Sequence, residues 1–272
     1  MTEVGRCGND EQNGFRKGRS CRDHVFVLTS IIRNRKADNL DTFGCFVDLQ
    51  KAFDSVDRDL LLWKLFNYNI MGKLYRAIKS IYLHPCSCVR INNEYTDWFD
   101  TKYGVRQGDT LSPTLFNLYI NDFITELNEL DYGVKVAGKN IGALAYADDI
   151  VLLANNTEEL QMMLNLFESW CNKWRLRVNI DKTKVIHFRN KRKSRSEFRF
   201  KLGDQDILFI SKYKYLGVNL DEYLEFDTTA NILAEAAGRA LGAVISKFKK
   251  LQDVGYKTFT TLFHSSVVPV MD

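Results

Sequence analysis

The segment from Leu144 to Leu153, LAYADDIVLL, constrains the fold most, because it places two adjacent acids inside an otherwise apolar run. The apolar residues on both sides are typical of buried strands, which leaves space for only a tight turn at Ala147-Asp148-Asp149. The segment therefore predicts a β-hairpin with both carboxylates at its tip. Aspartate is a common turn former, and this is the simplest explanation of an arbitrary Asp-Asp pair.

Two observations favour a metal site over a simple turn. Hairpin turns prefer Asn-Gly or Asp-Gly, so Asp148 beside Asp149 brings like charges together at a local cost. The apolar segment TFGCFVDL also predicts a strand that ends near Asp48. Carboxylates on the ends of neighbouring strands form a hard-oxygen site suited to Mg²⁺, which phosphates and water complete. Two such ions about 3.5 to 4 Å apart support phosphoryl transfer, the chemistry of polymerases and nucleases.

The rest of the chain predicts an α+β fold in one large or two smaller domains. Apolar spacing and capping residues predict helices over Cys21 to Arg35, after Asp57 as N-cap, from Ser112 (N-cap, with Pro113 first in the helix) to about Leu130–Gly133, from Thr157, and from Thr228 onward. The predicted inner faces are Leu61, Leu62, Leu65 and Phe66 in the second helix and Leu160, Met163, Leu164, Phe167, Trp170 and Trp174 in the fourth. Predicted strands are CSCVRIN and TDWFDTKYGV, which form a hairpin, and VIHF, FRFKL, ILFI and YLGV.

Composition narrows the class of protein without identifying it. With 45% hydrophobic and 26% charged residues, the sequence predicts a folded, water-soluble chain. The net charge is only +4, so any affinity for nucleic acid depends on where the basic residues lie. Residues 189–199 contain six basic residues in eleven, which could follow a nucleic-acid backbone or form a solvated loop.

The sequence also bears on compartment and metal content. It has no apolar run of 18 residues and no hydrophobic signal core at its start, which predicts no membrane segment and an intracellular location, in the nucleus and/or cytoplasm, with reduced thiols. Cys86 and Cys88 form a C-x-C pair without a matching second pair, which argues against structural zinc.

Five segments, in order and spacing, resemble the palm motifs of reverse transcriptases, most closely those of non-LTR (LINE-type) retrotransposons: FVDLQKAFDSVD, GVRQGDTLSPTLFNLYIND, YADD, WRLRVNIDKTKVIHF and KYLGV. The resemblance runs from about Gln12 to Leu220, roughly three quarters of the chain. It implies a right-hand polymerase fold with an antiparallel palm sheet backed by helices. Residues 1–220 would form the fingers and palm, and residues 221–272 the start of a truncated helical thumb.

The implied activity is that of an RNA-directed DNA polymerase. The partners would be an RNA template, a DNA primer and dNTPs, and the resemblance leaves the oligomeric state open. Two Mg²⁺ ions, with Mn²⁺ as a possible substitute, would be held by Asp48, Asp148 and Asp149. Lys182, favoured over Lys184, would approach the triphosphate and could protonate the departing pyrophosphate.

The resemblance also implies residues that bind the nucleotide and the primer. The ring of Phe53 would pack beneath the incoming sugar and leave no space for a 2′-hydroxyl. Arg106 and Gln107 would line the nucleotide and template pocket, and Arg16 of FRKGR could contact the triphosphate. The segment Lys214–Gly217 resembles a hairpin that grips the primer. Asp54, which follows the ring of Phe53, suggests structural hydrogen bonding or capping.

Other functions fit parts of the pattern. An RNA-dependent RNA polymerase would use a related palm, but Phe53 and YADD favour DNA synthesis. A group II intron maturase-like reverse transcriptase shares most of the motifs. A catalytically silent, nucleic-acid-binding relic would keep the fold and the basic surface without metal-dependent synthesis.

Overall fold

The structure, a computed structural model, describes residues 9–83, 85–250 and 255–271. The helices are α1 (Cys21–Ala37), α2 (Ala52–Ser55), α3 (Arg58–Asn67), α4 (Gly72–Tyr82), α5 (Ser112–Glu129), α6 (Thr157–Lys173), α7 (Asp227–Lys250), α8 (Tyr256–Ser266) and α9 (Val268–Met271). The strands are β1 (Thr42–Val47), β2 (Cys86–Ser87), β3 (Arg90–Ile91), β4 (Glu94–Tyr95), β5 (Phe99–Asp100), β6 (Val134–Val136), β7 (Lys139–Ile141), β8 (Ala143–Tyr146), β9 (Asp149–Ala154), β10 (Lys184–Phe188), β11 (Phe200–Leu202), β12 (Gln205–Ile207), β13 (Lys212–Tyr215) and β14 (Val218–Asp221).

A four-stranded antiparallel sheet in the order β10-β1-β9-β8 carries the predicted acids. Every residue of β1 is buried, because the strand has a neighbour on each side and is covered on both faces. Alternate side chains of a strand point to opposite faces. On one face Cys45 joins the core formed with α5 and α6, and on the other Phe46 packs on Phe188 at 6.5 Å between ring centroids.

β8 is the outer strand of the sheet, and its outer edge forms hydrogen bonds with a short segment that precedes α1. The backbone N–H of Asn13 donates to the carbonyl of Ala145 at 2.8 Å, and the N–H of Ala145 donates to the carbonyl of Glu11 at 2.9 Å. We call residues 11–14 the hairpin strap. After it, Ser20 and Asp23 form a capping box that starts α1, where the sequence predicts a helix.

Most of the predicted elements are present, and the caps explain where helices begin. Asp57 caps α3 through its carboxylate, which accepts from the N–H groups of Asp59 and Leu60. The hairpin between residues 86 and 100 turns at Asn92 and Asn93, both of which have positive φ. The predicted apolar stripe of α6 is buried, including Trp174 just beyond its end. The predicted α+β class is therefore confirmed.

Two helix predictions were wrong in detail. Ser112 is the first residue of α5 and not its N-cap, which is Leu111; the carboxylate of Asp109 accepts from the N–H of Leu111 at 3.1 Å and closes the preceding turn. Phe66 does not lie on the inner face of α3 but is 53% exposed, because it follows the buried Leu65 by about 100° around the helix.

Two strand predictions were also wrong. YLGV is not one continuous strand: Tyr215 ends β13 and Val218 begins β14, whereas Leu216 and Gly217, with φ of 45° and 89°, reverse the chain between them. ILFI lies largely beyond β12, which ends at Ile207; the chain there bonds to Val185 of β10 instead.

The chain divides by its contacts into a larger unit that ends at Ser211 and a smaller one that begins at Lys212. In the smaller unit, a hairpin is followed by the helices α7 to α9, and a small apolar core there contains Ala237 and Val244 of α7 and Val267, which lies between α8 and α9. The assignment of residues 1–220 to fingers and palm and of residues 221–272 to a thumb stays a prediction. Among the helices described, none combines the length and apolar character needed to cross a lipid bilayer.

The start of the basic segment 189–199 is anchored to the protein. Arg189 is buried, and its guanidinium donates to the carbonyls of His187 and Lys193. The ammonium of Lys193 lies 2.8 Å from the carboxylate of Asp41, just before β1. These two cations are therefore engaged within the fold, and they are less available to a nucleic-acid backbone than the sequence suggests.

A buried lysine joins α3 to the α5–α6 layer. The ammonium of Lys64 donates to the carboxylate of Asp122 at 2.7 Å and to the carbonyl of Tyr119, and it lies 3.6 Å from the centre of the Trp174 ring. The rings of Tyr119 and Trp170 also face it, at 4.6 and 5.1 Å. Burial lowers the pKa of Lys64 to about 8, while the charge of Asp122 opposes this shift.

We expect Lys64→Met to destabilise the fold by about 3 kcal/mol, because it leaves Asp122 without its buried partner. The folded protein binds fewer protons than the unfolded chain between pH 8 and 10.5, so stability from this group rises with pH across that window, and the variant should lose that slope. Denaturant unfolding between pH 7 and 10.5 measures both effects. Lys173→Met is the control, since the exposed Lys173 also faces Trp174, and its loss should cost less than about 1 kcal/mol. Equal losses of unfolding free energy in Lys64→Met and Lys173→Met would show that the buried Lys64–Asp122 pair stabilises the fold no more than an exposed lysine does.

Candidate active site

Asp48 stands directly after the buried strand β1, with its backbone fixed on both sides. Its N–H donates to the hydroxyl of Thr183 at 3.2 Å, and its carbonyl accepts from the N–H of Asn179 at 2.8 Å. Thr183 is fully buried, so water does not compete strongly for this hydrogen bond. The turn at residues 179–183 is therefore attached to the first of the predicted acids.

Asp148 and Asp149 stand at the tip of the predicted hairpin. Tyr146 of β8 pairs with Asp149 of β9, so Ala147 and Asp148 form a two-residue turn. In the adjacent pair of strands Val47 lies opposite Ile150, and the next position on each strand puts Asp48 beside Asp149. The structure thus brings the three predicted carboxylates to one edge of the central sheet.

Burial and neighbouring negative charges alter the pKa of Asp148 and Asp149. Desolvation raises the pKa of Asp149 to about 6, and the negative charges of Asp148 and then Asp48 add to the shift. Desolvation also raises the pKa of Asp148; a backbone hydrogen bond opposes the shift and the charge of Asp48 adds to it. Asp149 is exposed at the turn, so water screens part of this repulsion. The arrangement favours a positive charge between the carboxylates.

One lysine of the NIDKTK segment faces the acids and the other does not. The ammonium of Lys182 lies 3.9 Å from the carboxylate of Asp48 and is largely exposed. The ammonium of Lys184 instead donates to the carbonyl of Ile180 at 3.2 Å. Only Lys182 of these two is therefore placed to meet a ligand at the carboxylates.

An open cavity of about 710 Å³ lies between these groups. It is lined by Asp48, Leu49, Gln50, Lys51, Ala52, Ser55, Asp148, Arg177, Asn179 and Lys182. The sequence interpretation did not single out Lys51 or Arg177. Lys51 lies in the motif FVDLQKAFDSVD, and Arg177 lies in WRLRVNIDKTKVIHF, two positions before Asn179. Their places within these motifs are the sequence signal that could have identified them. Three cations around two acids suit an anionic ligand bound with a metal ion.

The ring of Phe53 is held from behind and approached from the side. It stacks on the fully buried Phe116 of α5, with ring centroids 4.5 Å apart and an interplanar angle of 24°. Phe15 meets it edge-on at 6.4 Å. Phe15 is exposed and has φ of 55°, a strained value for an aromatic residue. The half-buried Phe53 ring therefore has a fixed position.

Gln107 is linked to the segment that carries Phe53. Its side-chain amide donates to the carboxylate of Asp54 at 2.8 Å, and the N–H of Val105 donates to the carbonyl of Phe53 at 2.9 Å. Gly104 has φ of 86°, and a Cβ there would lie 2.9 Å from the Cα of Asp54, so this close approach requires glycine. Asp54 thus makes a structural hydrogen bond.

The two predicted arginines point to backbone carbonyls. Arg106 donates to the carbonyl of Ile81 at the end of α4, at 3.2 Å, and does not line the cavity. Arg16 donates to the carbonyls of Asn9 and Gln12 at 2.6 and 3.0 Å, which tightens the loop around the hairpin strap. Contact of either arginine with a nucleotide stays a prediction.

An antiparallel sheet that carries three acids on adjacent strand ends, backed by helices, defines a polymerase-like palm, and comparison with known proteins agrees. The sequence profile of the reverse transcriptase (RNA-dependent DNA polymerase) family matches residues 2–220. The chain belongs to this family.

Curated relatives place the chain near non-LTR retrotransposons. The Pol polyprotein of the R2 element of Nasonia vitripennis is 26% identical over 94% of this chain and 26% of its own length. The probable RNA-directed DNA polymerase from transposon BS of Drosophila melanogaster is 32% identical over 80% of this chain and 24% of its own length. The RNA-directed DNA polymerase from the mobile element jockey of the same species is 28% identical over 79% of this chain and 23% of its own length. The chain spans about a quarter of the length of these relatives.

Solved structures support the polymerase fold. Telomerase from Candida tropicalis, in complex with the TWJ fragment of telomeric RNA, aligns with a TM-score of 0.56 at 13% identity over 92% of this chain and 40% of its own. Telomerase from Candida albicans, also in complex with the TWJ fragment of telomeric RNA, gives a TM-score of 0.55 at 11% identity over 81% of this chain and 34% of its own. The predicted polymerase fold is thereby confirmed.

In protein free of divalent cations, we expect Asp149 to titrate near pH 6, and Asp148→Asn to lower its pKa by removing the neighbouring charge. Because this pKa is raised above 3.8, the folded state binds the proton more tightly, and this group adds stability as the pH falls through 6. ¹³C NMR of the side-chain carboxyls measures the titration. Asp59→Asn, on the exposed side of α3, should leave the pKa of Asp149 unchanged. An unchanged pKa in Asp148→Asn would show that the two acids do not interact.

Proposed function

We propose that this chain is the polymerase region of a non-LTR retrotransposon reverse transcriptase, which adds dNTPs to the 3′-hydroxyl of a DNA primer paired with an RNA template. One observation carries the proposal: Asp48, Asp148 and Asp149 meet at one edge of the palm sheet in a chain whose residues 2–220 match the family. The relatives named as RNA-directed DNA polymerases and the telomerase–RNA complexes support RNA as the template.

Reverse transcriptases generally use divalent metal ions, and the donor set here fits such ions. In the described part of the chain no group of three or more His, Cys, Asp or Glu is arranged to enclose a metal on its own. Mg²⁺, however, is usually held by one or two carboxylates, with phosphates and water completing its shell. Desolvation raises the pKa of Asp148 and Asp149, and the neighbouring negative charges add to the shifts, so a bound cation would stabilise the ionised carboxylates. We assign Asp48, Asp148 and Asp149 as the ligands of two Mg²⁺ ions.

When bound, these ions would supply Lewis-acid activation of the attacking and leaving oxygens. The protein's own residues orient and neutralise the triphosphate. Lys182 can hold a phosphate oxygen electrostatically and donate a proton to the leaving pyrophosphate, because its exposed ammonium stands at the edge of the carboxylate site. Lys51 and Arg177 add positive charge to the same cavity.

Phe53 selects the sugar in this proposal. Phe116 prevents the ring from retreating, so a 2′-hydroxyl would meet a rigid apolar surface without a hydrogen-bond partner. Gln107, held by Asp54, borders the same segment and can contact the nucleotide or template. Deoxynucleotides are favoured because they lack the hydroxyl.

Primer extension tests the proposed activity. With an RNA template, a DNA primer, dNTPs and Mg²⁺, the double variant Asp148→Asn, Asp149→Asn should lose extension by about a hundredfold or more, because the carboxylates that hold the metal are gone. The control is Asp204→Asn, Asp206→Asn, which removes two exposed acids around the β11–β12 turn and should extend normally. If the folded wild-type chain makes no product, the proposal is wrong, and the result favours a catalytically silent relic that binds nucleic acid.

Sugar selection is tested with Phe53→Val, which removes the ring while keeping an apolar side chain. We expect the preference for dNTPs over rNTPs, measured as a ratio of kcat/KM values, to fall by about 10- to 100-fold. Phe66→Val changes an exposed phenylalanine on α3 and should keep the wild-type preference. If Phe53→Val loses rate equally with both kinds of nucleotide, the ring supports the site but does not select the sugar.

A further inference from the structure

The turn that presents Asp148 contains a strained peptide. Ala147 is the first of the two turn residues and has φ of 57°. Two-residue hairpin turns favour glycine, asparagine or aspartate at positions with positive φ, because a Cβ is poorly tolerated there. Such a conformation persists in alanine only where the surroundings fix it.

A single side chain from the hairpin strap engages both polar groups of that peptide residue. The Oε1 atom of Gln12 accepts from the N–H of Ala147 at 2.8 Å, and the Nε2 atom donates to the carbonyl of Ala147 at 3.3 Å. Oε1 also accepts from the N–H of Gly14 at 2.8 Å. Gln12 is only 2% exposed, so water does not compete strongly for these hydrogen bonds.

The strap is itself anchored to two helices. The side-chain amide of Asn13 lies 3.0 Å from the Nδ1 atom of the buried His24 on α1. The amide of Asn117 on α5 donates to the carbonyl of Gly14 at 2.6 Å. Gly14 also packs so closely that a Cβ there would lie 2.2 Å from the nitrogen of Ala147. Gln12 therefore connects the turn to a rigid framework.

We propose that Gln12 is a positioning residue, which holds Ala147 in its left-handed conformation and so fixes the direction in which Asp148 presents its carboxylate. Asp148 follows Ala147 directly, so a rotation of the Ala147 backbone would displace the carboxylate from Asp48 and Asp149. Gln12 itself does not line the cavity. The catalytic part of this inference rests on the proposed function, whereas the structural part does not.

The test compares Gln12→Met, which keeps the side-chain length but removes both hydrogen-bonding groups, with the wild-type chain. Hydrogen exchange followed by NMR should show that the N–H of Ala147 exchanges at least about tenfold faster, because its acceptor is gone. Calorimetric titration with Mg²⁺ alone should show an affinity lowered about three- to tenfold. In primer extension, kcat should fall about 10- to 100-fold while KM for dNTP changes less than about threefold.

The matched control is Gln161→Met. Gln161 bridges one residue in the same way, since its Nε2 atom donates to the carbonyl of Lys201 at 2.8 Å and its Oε1 atom accepts from the N–H of Lys201 at 2.9 Å. This bridge joins α6 to β11 and does not border the cavity. Gln161→Met should speed exchange at Lys201 but leave Ala147 protection, Mg²⁺ affinity and kcat unchanged.

Hydrogen exchange, Mg²⁺ titration and primer extension together distinguish a failure of the positioning role from a failure of the proposed function. Unchanged exchange at Ala147, or an equal loss of kcat in both variants, would overturn the positioning role. A wild-type chain without polymerase activity would remove the proposed function, and Ala147 exchange and Mg²⁺ affinity would then decide the role of Gln12 alone. If Gln12→Met does not fold, Gln12→Asn keeps the buried position polar but is one methylene too short to span both groups of Ala147, and the same three results are expected.

Discussion

Electrostatic repulsion among Asp48, Asp148 and Asp149 is the constraint on which the rest of the structure depends. Three carboxylates at one edge of a sheet oppose their own assembly. Desolvation raises the pKa of Asp148 and Asp149, and the neighbouring negative charges add to both shifts. The surrounding fold therefore has to be rigid enough to hold them. β1 supplies this rigidity because it is buried along its whole length between β9 and β10, and the α5–α6 layer covers one face of the sheet.

Much of this framework is predictable from local sequence. The hairpin around Asp148 follows from apolar runs that flank polar turn residues, and the start of α3 follows from the capping preference of Asp57. The errors occur where local signals compete. YLGV has strand composition, but Leu216 and Gly217 adopt positive φ and form the turn. Phe66 is apolar yet lies outside the buried stripe of α3, since burial depends on what packs against each face.

The site was predictable only in part, for a related reason. Residues with a charge or a ring in a recognisable motif, such as Asp48, Lys182 and Phe53, can be found from the sequence. Gln12 could not be assigned its role, because its partner Ala147 is 135 positions away and a glutamine in a loop has no distinctive local pattern. Phe116 likewise looks like an ordinary core residue until the fold stacks it beneath Phe53. Supporting contacts of this kind are properties of the tertiary structure.

The site residues are held mainly by contacts between segments that are distant in sequence. Thr183 bonds the backbone of Asp48, Gln12 bonds the hairpin turn, and Asp54 bonds Gln107. The positions of the carboxylates therefore depend on the strap, β1, the hairpin and the turn at residues 179–183 together. A cation that binds the assembled carboxylates would stabilise the folded state and relieve the repulsion that opposes it, so cation binding and folding would be linked. The repulsion that makes this edge of the sheet costly to fold is also the property that would attract a metal ion to it.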